Sequence, residues 1–400
     1  MKVLQLCNKP PFPPCDGGTM AMDSITQGLL REGCEVKVLT VETDKHPAGL
    51  EQMPDDYRRQ TGFEAVYIDL GVKPLPAAVA MLCGQSYHVK RYINRDFARR
   101  LTDILEQQQF DVVHVESIFL TPYVPIIRRY SHAKVILRAH NVEHLIWKRV
   151  AQSTKSYVKR WYLNHLSLTL RAYELEHLQD YDGIVCITQG DADYFRQNGC
   201  RRPMTVIPFG VQRPTAADEP VAVEPGSLYH LGAMDWMPNR ESIAWLLDDV
   251  WPVVHHEAPQ AHLYLAGRKM PEALMKRTIE GVTIVGEVPD AQRFIAGKLI
   301  NVVPLLSGSG IRVKIIEAMA AGKAVVTTTV GARGIDYTDG ENLLIANTPS
   351  EFAHQIKRLL DDSAYCRRVG AEAARLVAER YDVGRLSRQL LQFYNERIEA

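Results

Sequence analysis

The sequence lacks the features that would assign it at once to several large functional classes. Its 47 lysines and arginines balance its 47 aspartates and glutamates, so the overall charge gives no reason to expect a nucleic-acid partner. Its seven cysteines are odd in number and show no CxxC spacing, which favours reduced thiols in a cytosol over a disulfide framework. GxSxG and GxGxxG motifs are also missing, so neither a serine hydrolase of that type nor a dinucleotide-binding fingerprint is indicated.

Long apolar segments are missing as well. The longest candidate, residues 74–84, is 11 residues long, whereas a membrane-spanning helix needs about 20. The N-terminal run MKVLQLC is too short for a signal peptide, and we therefore expect a cytoplasmic protein. The charge is nevertheless uneven, because residues 88–171 hold 15 Lys and Arg against 6 Asp and Glu. Two interpretations of this basic segment stay open: a surface for an anionic acceptor or a membrane face, and a set of solvated helix faces.

The 400 residues are enough for two domains of ordinary size. Short β-branched runs alternate with helical stretches up to residue 211 and again from residue 227, which predicts two doubly wound α/β domains. Residues 212–226 contain three prolines and no periodicity, so they are predicted to be the linker. In such domains ligands bind at the carboxyl ends of the strands. The predicted helices include 19–32, 87–108, 146–179, 240–254, 313–321, 349–361, 364–380 and 385–398.

The most informative segment is 307–329, SGSGIRVKIIEAMAAGKAVVTTT. Its glycines let a ligand approach the backbone, and they precede a short helix whose first N–H groups suit a phosphate. Arg312 and Lys314 add full positive charges, and Glu317 can accept hydrogen bonds from sugar hydroxyls. The pattern predicts a grip on a nucleotide diphosphate and its ribose, with an ordinary helix start as the alternative. The loop of this predicted site consists of Gly308, Ser309, Gly310 and Ile311.

A histidine follows another predicted strand, in the run RAHNVEHLIW of residues 138–147. His140 stands at the strand end that should face the ligand, where it can donate or accept a hydrogen bond. Asn141, Glu143 and His144 crowd the same turn and are further candidates. The alternative is that Asn141 caps the following helix and that its neighbours are solvated.

One pair of glycines and one pair of aspartates also stand at predicted helix starts. Gly17 and Gly18 stand between the first strand and its helix, where backbone amides can approach a phosphate, although a flexible turn explains them equally well. A D-x-D sequence, Asp191 and Asp193, follows CITQG at another helix start. Helix capping explains this pair better than a metal, so we expect no metal site.

The segment GAMDWMPNRES, residues 232–242, again leaves a strand and enters a helix. Gly232 would permit close approach of a ligand, and Asn239 is predicted to cap the helix. Asp235 and Asn239 are candidate contacts to the donor, whereas Trp236 fits packing against the sheet equally well. The next two strand ends add Arg268, which could reach a phosphate, and Val288, whose backbone could frame a base.

Together these motifs resemble glycosyltransferase family 4, retaining enzymes with two Rossmann-like domains of the type called GT-B. The resemblance covers nearly the whole chain through the GG loop, the strand-end His140, and the runs CITQGDADYF, VIPFGV and GAMDWMPN. Its most specific mark is the block at 310–322, because G-x-R-x-K-x-x-E-A-M-A-x-G recurs in a branch of this family.

The resemblance implies transfer of a sugar from a nucleotide-diphosphate sugar to a glycan or lipid-linked acceptor, without a cofactor or bound metal. It implies that Glu317 holds the donor ribose, that Arg312 and Lys314 hold the diphosphate, and that His140 contacts the transferred sugar. The amides of Gly17 and Gly18 would assist. The first domain, 1–211, would bind the acceptor, and the second, 227–381, the donor. A last helix at about 382–400 would return to the first domain.

Two departures from the family pattern limit this transfer of roles. The wider family has a glutamate eight positions before the one at Glu317, where this chain has Ser309, so the pattern does not specify the transferred sugar. The loop 235–242 lacks the early Arg and Lys of many members, with Arg240 displaced. Two other functions therefore stay open: a nucleotide-sugar epimerase of the same fold, and a catalytically weakened nucleotide- or carbohydrate-binding protein. The donor base, acceptor, linkage and oligomeric state are not encoded in these motifs.

Overall fold

The computed structural model describes residues 1–14, 16–211, 221–308 and 311–399. The chain divides into two compact units. The first comprises Met1–Gly210 together with the C-terminal segment from Val383, and the second comprises Val211–Asp382. Most of the predicted linker, 212–220, and the predicted site residues Ser309 and Gly310 lie outside the described residues.

The first unit is built on a parallel sheet of seven strands in the order β3-β2-β1-β4-β5-β6-β7. Its strands are β1 Lys2–Cys7, β2 Glu35–Glu42, β3 Glu64–Tyr67, β4 Val112–Glu116, β5 Lys134–Ala139, β6 Gly183–Cys186 and β7 Met204–Val206. The order reverses between β1 and β4, which is the point where ligands bind in doubly wound folds.

The second unit repeats this topology with six described strands, in the order β10-β9-β8-β11-β12-β13. These strands are β8 Ser227–Leu231, β9 His262–Ala266, β10 Val282–Gly286, β11 Ile300–Val303, β12 Ala324–Thr327 and β13 Leu344–Ile345, and they too are parallel. The predicted α/β class with two Rossmann-like sheets is confirmed.

The helices cover the faces of the two sheets. In the first unit they are α1 Gly17–Arg31, α2 Asp55–Thr61, α3 Pro74–Leu82, α4 Tyr87–Lys90, α5 Arg95–Gln107, α6 Val124–Tyr130, α7 Glu143–Ser153, α8 Tyr157–His177 and α9 Gln189–Gln197. In the second unit they are α10 Met237–Trp245, α11 Trp251–Glu257, α12 Glu272–Met275, α13 Ala291–Ala296, α14 Val313–Ala320, α15 Pro349–Asp361 and α16 Ser363–Arg380, followed by α17 Val383–Ile398 in the first unit. Among the described residues, no helix has both the length and the apolar composition required to cross a lipid bilayer.

Three predicted helix boundaries are wrong, and caps explain two of them. The predicted helix 87–108 is divided because the side chain of Asn94 accepts the N–H groups of Asp96 and Phe97 and starts α5. The predicted helix 146–179 is divided at Ser156, which caps α8. The helix predicted from 240 begins at Met237 and continues through a π-helical turn, Leu246–Val250, into α11.

The central strands are buried on both faces, as expected for a parallel sheet covered by helices. In β1, Leu4 and Leu6 point into one core, whereas Val3 and Cys7 point into the other. This alternation follows from the two-residue period of a strand. Helix α17 contributes Leu390 and Phe393 to the second of these cores, so the end of the chain is part of the first unit.

Candidate functional site

Lys314 is the centre of a polar cluster in the second unit. Its Nζ donates to Asn239 Oδ1 at 2.8 Å and lies 3.1 Å from His230 Nε2. His230, in β8, has its Nδ1 2.9 Å from the carbonyl oxygen of Val302, so Nδ1 carries the proton and Nε2 accepts from the ammonium group. Burial and the nearby Lys314 hold the pKa of His230 well below its usual range, in agreement with a neutral ring. Strand β8 and helix α10 thus hold Lys314 in place.

Burial shifts both titratable groups of α14 towards neutral pH. Burial, with a smaller contribution from the nearby Arg312, lowers the pKa of Lys314 to about 7. Burial raises the pKa of Glu317 to about 7. The two residues are three positions apart, so they lie on one face of the helix. Such shifts are typical of binding and catalytic sites. Burial removes the water that would solvate the charged group, and a bound ligand can take its place.

Arg312 directly precedes α14 and is almost completely buried. Its guanidinium carbon lies 5.6 Å from the ring centre of Trp236. A Cβ placed on Gly308 would lie 3.0 Å from Arg312 Nη2 and about as close to the Trp236 ring. Gly308, with φ of +117°, therefore lets the loop pass close to both side chains. Ile311, which directly precedes Arg312, is half-buried.

Gly232 is required by close packing at the end of β8. A Cβ at this position would lie 2.9 Å from Asn239 Nδ2 and 3.0 Å from Lys314 Nζ. The prediction that Asn239 caps α10 is wrong, because the helix begins two residues earlier at Met237. Asn239 is buried instead and joins Lys314 to the loop, since its Nδ2 donates to the carbonyl oxygen of Ala233 at 2.7 Å.

The remaining predicted donor contacts lie outside this cluster. The exposed Asp235 forms an ion pair with Lys269 at 3.2 Å. Arg268 is exposed and uses its carbonyl oxygen to accept the N–H of Met234. Val288 is half-buried in the loop after β10. Their roles towards a donor stay predictions.

In the first unit, His140 follows β5 as predicted and contacts a buried carboxylate that the sequence motifs do not single out. His140 Nε2 lies 2.7 Å from Glu116 Oε2, so this nitrogen carries the proton and Nδ1 keeps its lone pair. Burial lowers the pKa of His140 despite the opposing effect of Glu116, so the ring is neutral at pH 7. The side chain of His140 is 17 % exposed, whereas that of Glu116 is fully buried.

Glu116, at the carboxyl end of β4, is held by a network of buried groups. Gln5 Nε2 donates to its Oε1 at 2.9 Å, and the Arg138 guanidinium lies 3.7 Å away. His114 Nε2 lies 3.2 Å from the same oxygen, and its Nδ1 accepts from Tyr394 of α17 at 2.6 Å. The sequence offers one signal for Glu116: it is a charged residue at the end of the mostly apolar run DVVHVE, which has the pattern of a buried strand.

The glycine pair at 17–18 starts α1, but the first amides there already have an acceptor. The side chain of Asp16 accepts from the N–H groups of Gly18 and Thr19, both at 2.9 Å. Burial opposes ionisation of Asp16, but Lys9, whose Nζ lies 2.6 Å from it, lowers its pKa. A phosphate at Gly17 and Gly18 would have to displace this carboxylate, and the predicted role of the pair stays a prediction.

The turn after His140 is organised by Glu174 of α8. Its carboxylate accepts the N–H groups of Glu143 and His144 at the start of α7, so the interpretation of Asn141 as the helix cap is wrong. His144 uses both ring nitrogens, on Glu174 at 2.5 Å and on the Tyr194 hydroxyl at 2.8 Å, and is a structural residue here. Burial and the neighbouring Glu174 raise the pKa of Glu143 to about 8, and Asn141 hydrogen-bonds its carboxyl group.

The D-x-D pair behaves as a helix start. Thr188 caps α9 and accepts the N–H of Asp191 at 3.1 Å. Asp193 pairs with Arg196 in the same helix. Within the ranges that the structure describes, no group of three or more His, Cys, Asp or Glu side chains is arranged to hold a metal ion.

Two family models match the chain, one on each side of the segment 214–224. The family described as Glycosyltransferase Family 4 matches residues 16–213, and the family described as Glycosyl transferases group 1 matches residues 225–362. Among curated proteins, an uncharacterized 44.6 kDa protein of the cps region of Klebsiella pneumoniae is 25 % identical over 295 residues, which cover 71 % of this chain and 74 % of that one. The phosphatidyl-myo-inositol mannosyltransferase of Mycobacterium leprae is 29 % identical over 165 residues, 39 % of this chain and 43 % of that one.

Solved structures of similar fold cover almost the whole chain. Sucrose-phosphate synthase from Thermosynechococcus elongatus has a TM-score of 0.68 at 18 % identity and covers 99 % of both chains. HepE of Anabaena in complex with UDP-glucose has a TM-score of 0.67 at 14 % identity, over 99 % of this chain and 100 % of that one. The chain belongs to the glycosyltransferases, with a Glycosyltransferase Family 4 region followed by a Glycosyl transferases group 1 region, and it has the GT-B fold.

Proposed function

We propose that the protein transfers a sugar from a nucleotide-diphosphate sugar to a glycan or lipid-linked acceptor, with retention of the anomeric configuration. The cluster of Arg312, Lys314 and Glu317 is the observation that carries this proposal, because its two cations and one carboxylate suit a diphosphate and a ribose. The complex of HepE with UDP-glucose agrees with a nucleotide-sugar donor. The phosphatidyl-myo-inositol mannosyltransferase, which matches 39 % of this chain, agrees with a lipid-linked acceptor.

In this reaction the bond between the sugar and the diphosphate breaks, and negative charge develops on the leaving diphosphate. Arg312 and Lys314 would stabilise that charge in the place that other transferases give to a metal ion. Because Lys314 is already fixed by His230 and Asn239, little reorganisation is needed when the charge appears. Glu317 would hold the ribose, and His140 would contact the transferred sugar through Nδ1 or its ring.

The first test is a thermal-shift screen of nucleotide-sugars, followed by a transfer assay with EDTA present. A ligand that binds only the folded state at about 100 times its dissociation constant adds about 2.7 kcal/mol of stability, which is readily measured as a rise in melting temperature. We expect one nucleotide family to raise it, and turnover of the corresponding sugar to continue in EDTA. If no nucleoside diphosphate or nucleotide-sugar binds, the proposal is wrong. Loss of turnover in EDTA would refute its metal-independent form.

The pKa shifts of the cluster predict a pH dependence of donor binding. A diphosphate favours the ammonium form of Lys314 and raises its pKa in the complex. Binding therefore takes up a proton above pH 7, and affinity should fall as the pH rises from about 7, by up to about tenfold per unit. In the wild type Glu317 loses its proton over the same range, so the variant Glu317→Gln isolates the effect of Lys314. Titration calorimetry of Glu317→Gln between about pH 6 and pH 8 measures it. An affinity of this variant for nucleotide-sugar that stays constant over this range would contradict the assignment of Lys314.

A further inference from the structure

The first unit exposes a set of large apolar side chains on helix α3. This helix contains no charged residue, and its Leu75, Val79 and Leu82 are spaced to form one stripe along its surface. Their side chains are exposed, Leu75 to 81 % and Leu82 to 83 %. The small residues Ala77 and Ala80 face the protein instead. The helix thus presents its larger apolar surface to the outside, the reverse of the arrangement that folding alone would favour.

Helix α8, which packs in the same small cluster, begins in a similar way. Ala77 and Ala80 share a buried cluster with Leu163 and Leu166 of α8 and with Ala151 of α7. The first turns of α8 expose Tyr157, Val158 and Trp161, the last to 62 %, and Leu168 continues the same stripe. Two neighbouring helices therefore carry exposed apolar and aromatic side chains next to one shared core, which is more than the scattered exposure common on protein surfaces.

Positive charge accompanies this apolar surface. Residues 147–161, WKRVAQSTKSYVKRW, contain five Lys and Arg and no Asp or Glu. Among the residues that the structure describes, no carboxylate lies within ion-pair distance of Lys148, Lys155 or Lys159, although many lysines elsewhere are paired. Arg160 lies over the ring of Tyr157, at 4.5 Å from its centre. Tryptophan and tyrosine beside lysine and arginine are the residues enriched where a protein meets the headgroup region of a bilayer.

A cavity of about 650 Å³ opens between α7, α8 and α9. Lys148 and Arg171 line it together with the apolar Leu145 and Leu168, and none of the described residues that line it is acidic. Leu168 and Lys148 belong to the apolar and basic sets just described, so the cavity is continuous with them. Its mixture of cations and leucines suits a negatively charged headgroup together with the upper part of its acyl chains.

We propose that the exposed stripe of α3 and the basic, aromatic start of α8, with the loop before it, form a surface that binds an anionic lipid bilayer. The apolar stripe would enter the interface, and the unpaired lysines would meet the negative headgroups. Charge complementarity favours this partner over an apolar protein groove, which would leave these lysines without counter-charges. The inference goes beyond sugar transfer and does not depend on it.

Co-sedimentation with lipid vesicles, in the absence of donor and acceptor, tests this surface in the full-length protein. We expect binding to phosphatidylcholine vesicles that contain about 30 % phosphatidylglycerol, weak binding to phosphatidylcholine alone, and release by salt. The double variant Lys155→Gln/Lys159→Gln should bind about tenfold or more weakly. The control Lys276→Gln/Lys357→Gln makes the same change in net charge on the second unit and should bind as the wild type does.

The variant Leu75→Ser/Leu82→Ser tests the apolar part separately. It should also lose about tenfold or more of vesicle affinity, with an unchanged melting temperature because both side chains are exposed. Absence of vesicle binding would overturn the proposal, and so would binding that neither variant weakens. Sedimentation velocity without lipid tests whether the surface binds a second copy of the chain instead. A dimer that Leu75→Ser/Leu82→Ser dissociates would assign the surface to that copy and refute the lipid proposal.

Discussion

Replacing Lys314 with glutamine is expected to lower kcat/KM for the nucleotide-sugar by about 10³, or roughly 4 kcal/mol. The physical reason is that the ammonium group is held by His230 and Asn239 in surroundings that lower its pKa to about 7. A charge kept in such a place interacts strongly with a ligand of opposite sign. The variant should not be less stable than the wild type, because removal of a poorly solvated ammonium relieves a cost of folding. Steady-state kinetics and thermal unfolding measure the two effects.

Lys323 provides the matched control for Lys314. It is also a buried lysine of the second unit, its pKa is also lowered by burial, and its Nζ donates to the carbonyl oxygen of Ala296 at 2.7 Å. Lys323→Gln should therefore report the general effect of losing a buried lysine, with near-normal affinity for donor. Equal losses of kcat/KM in both variants would mean that Lys314 acts only through the fold, and full activity of Lys314→Gln would remove it from the site.

Replacing Glu116 with glutamine is expected to destabilise the first unit by about 3 kcal/mol, because it leaves the buried guanidinium of Arg138 without a carboxylate. It should also lower turnover, since the neutral amide holds the Nε2 proton of His140 less strongly than the carboxylate does. Thermal unfolding should show a decrease in melting temperature of roughly 6–12 °C. His140→Ala should reduce turnover without a comparable loss of stability, because it removes a partly exposed side chain and leaves the buried ion pair intact.

The comparison for Glu116 is Glu64, which forms ion pairs with Lys37 and Arg100 in a half-buried position of the same unit. Glu64→Gln should cost about 1 kcal/mol or less. Burial opposes ionisation of Glu116, but Arg138 and the neighbouring histidines hold its pKa well below the usual range. Its contribution to stability is therefore complete above the unfolded pKa of about 4.3 and is lost only as the pH falls through the lower folded pKa. Equal losses of stability in Glu116→Gln and Glu64→Gln at neutral pH would contradict the larger contribution that we assign to the buried network around Glu116.

Much of the fold follows from local sequence patterns. Runs such as KVLQLC and AVVT are apolar because both faces of a parallel strand are covered, and the alternation of such runs with helices predicts both doubly wound sheets. Helix boundaries were less predictable. The breaks at Asn94 and Ser156 each depend on the capping side chain of a single residue.

The polar cluster around Lys314 was predictable in part, because Arg312, Lys314 and Glu317 belong to one short segment with a recognisable spacing. Their supports were not, since His230 precedes Lys314 by 84 residues and meets it only because β8 and β11 are neighbours. The same is true of Glu116, which contacts His140 because β4 pairs with β5. Asn141 and Asn239 show that local sequence can also mislead. Each has the sequence context of a helix cap, but the capping positions are Val142 and Trp236.

The sequence alone determined the fold class, the glycosyltransferase resemblance and the charged segment around Lys314, because each depends on residue types at short, regular spacing. Only the tertiary structure decided how Lys314 is held, which carboxylate orients His140, and that Asp16 already occupies the first amides after Gly17. It also showed that the uncharged helix α3 turns its leucines outwards and its alanines inwards. Burial, pKa and exposure are properties of contacts between distant segments, and periodicity within one segment cannot specify them.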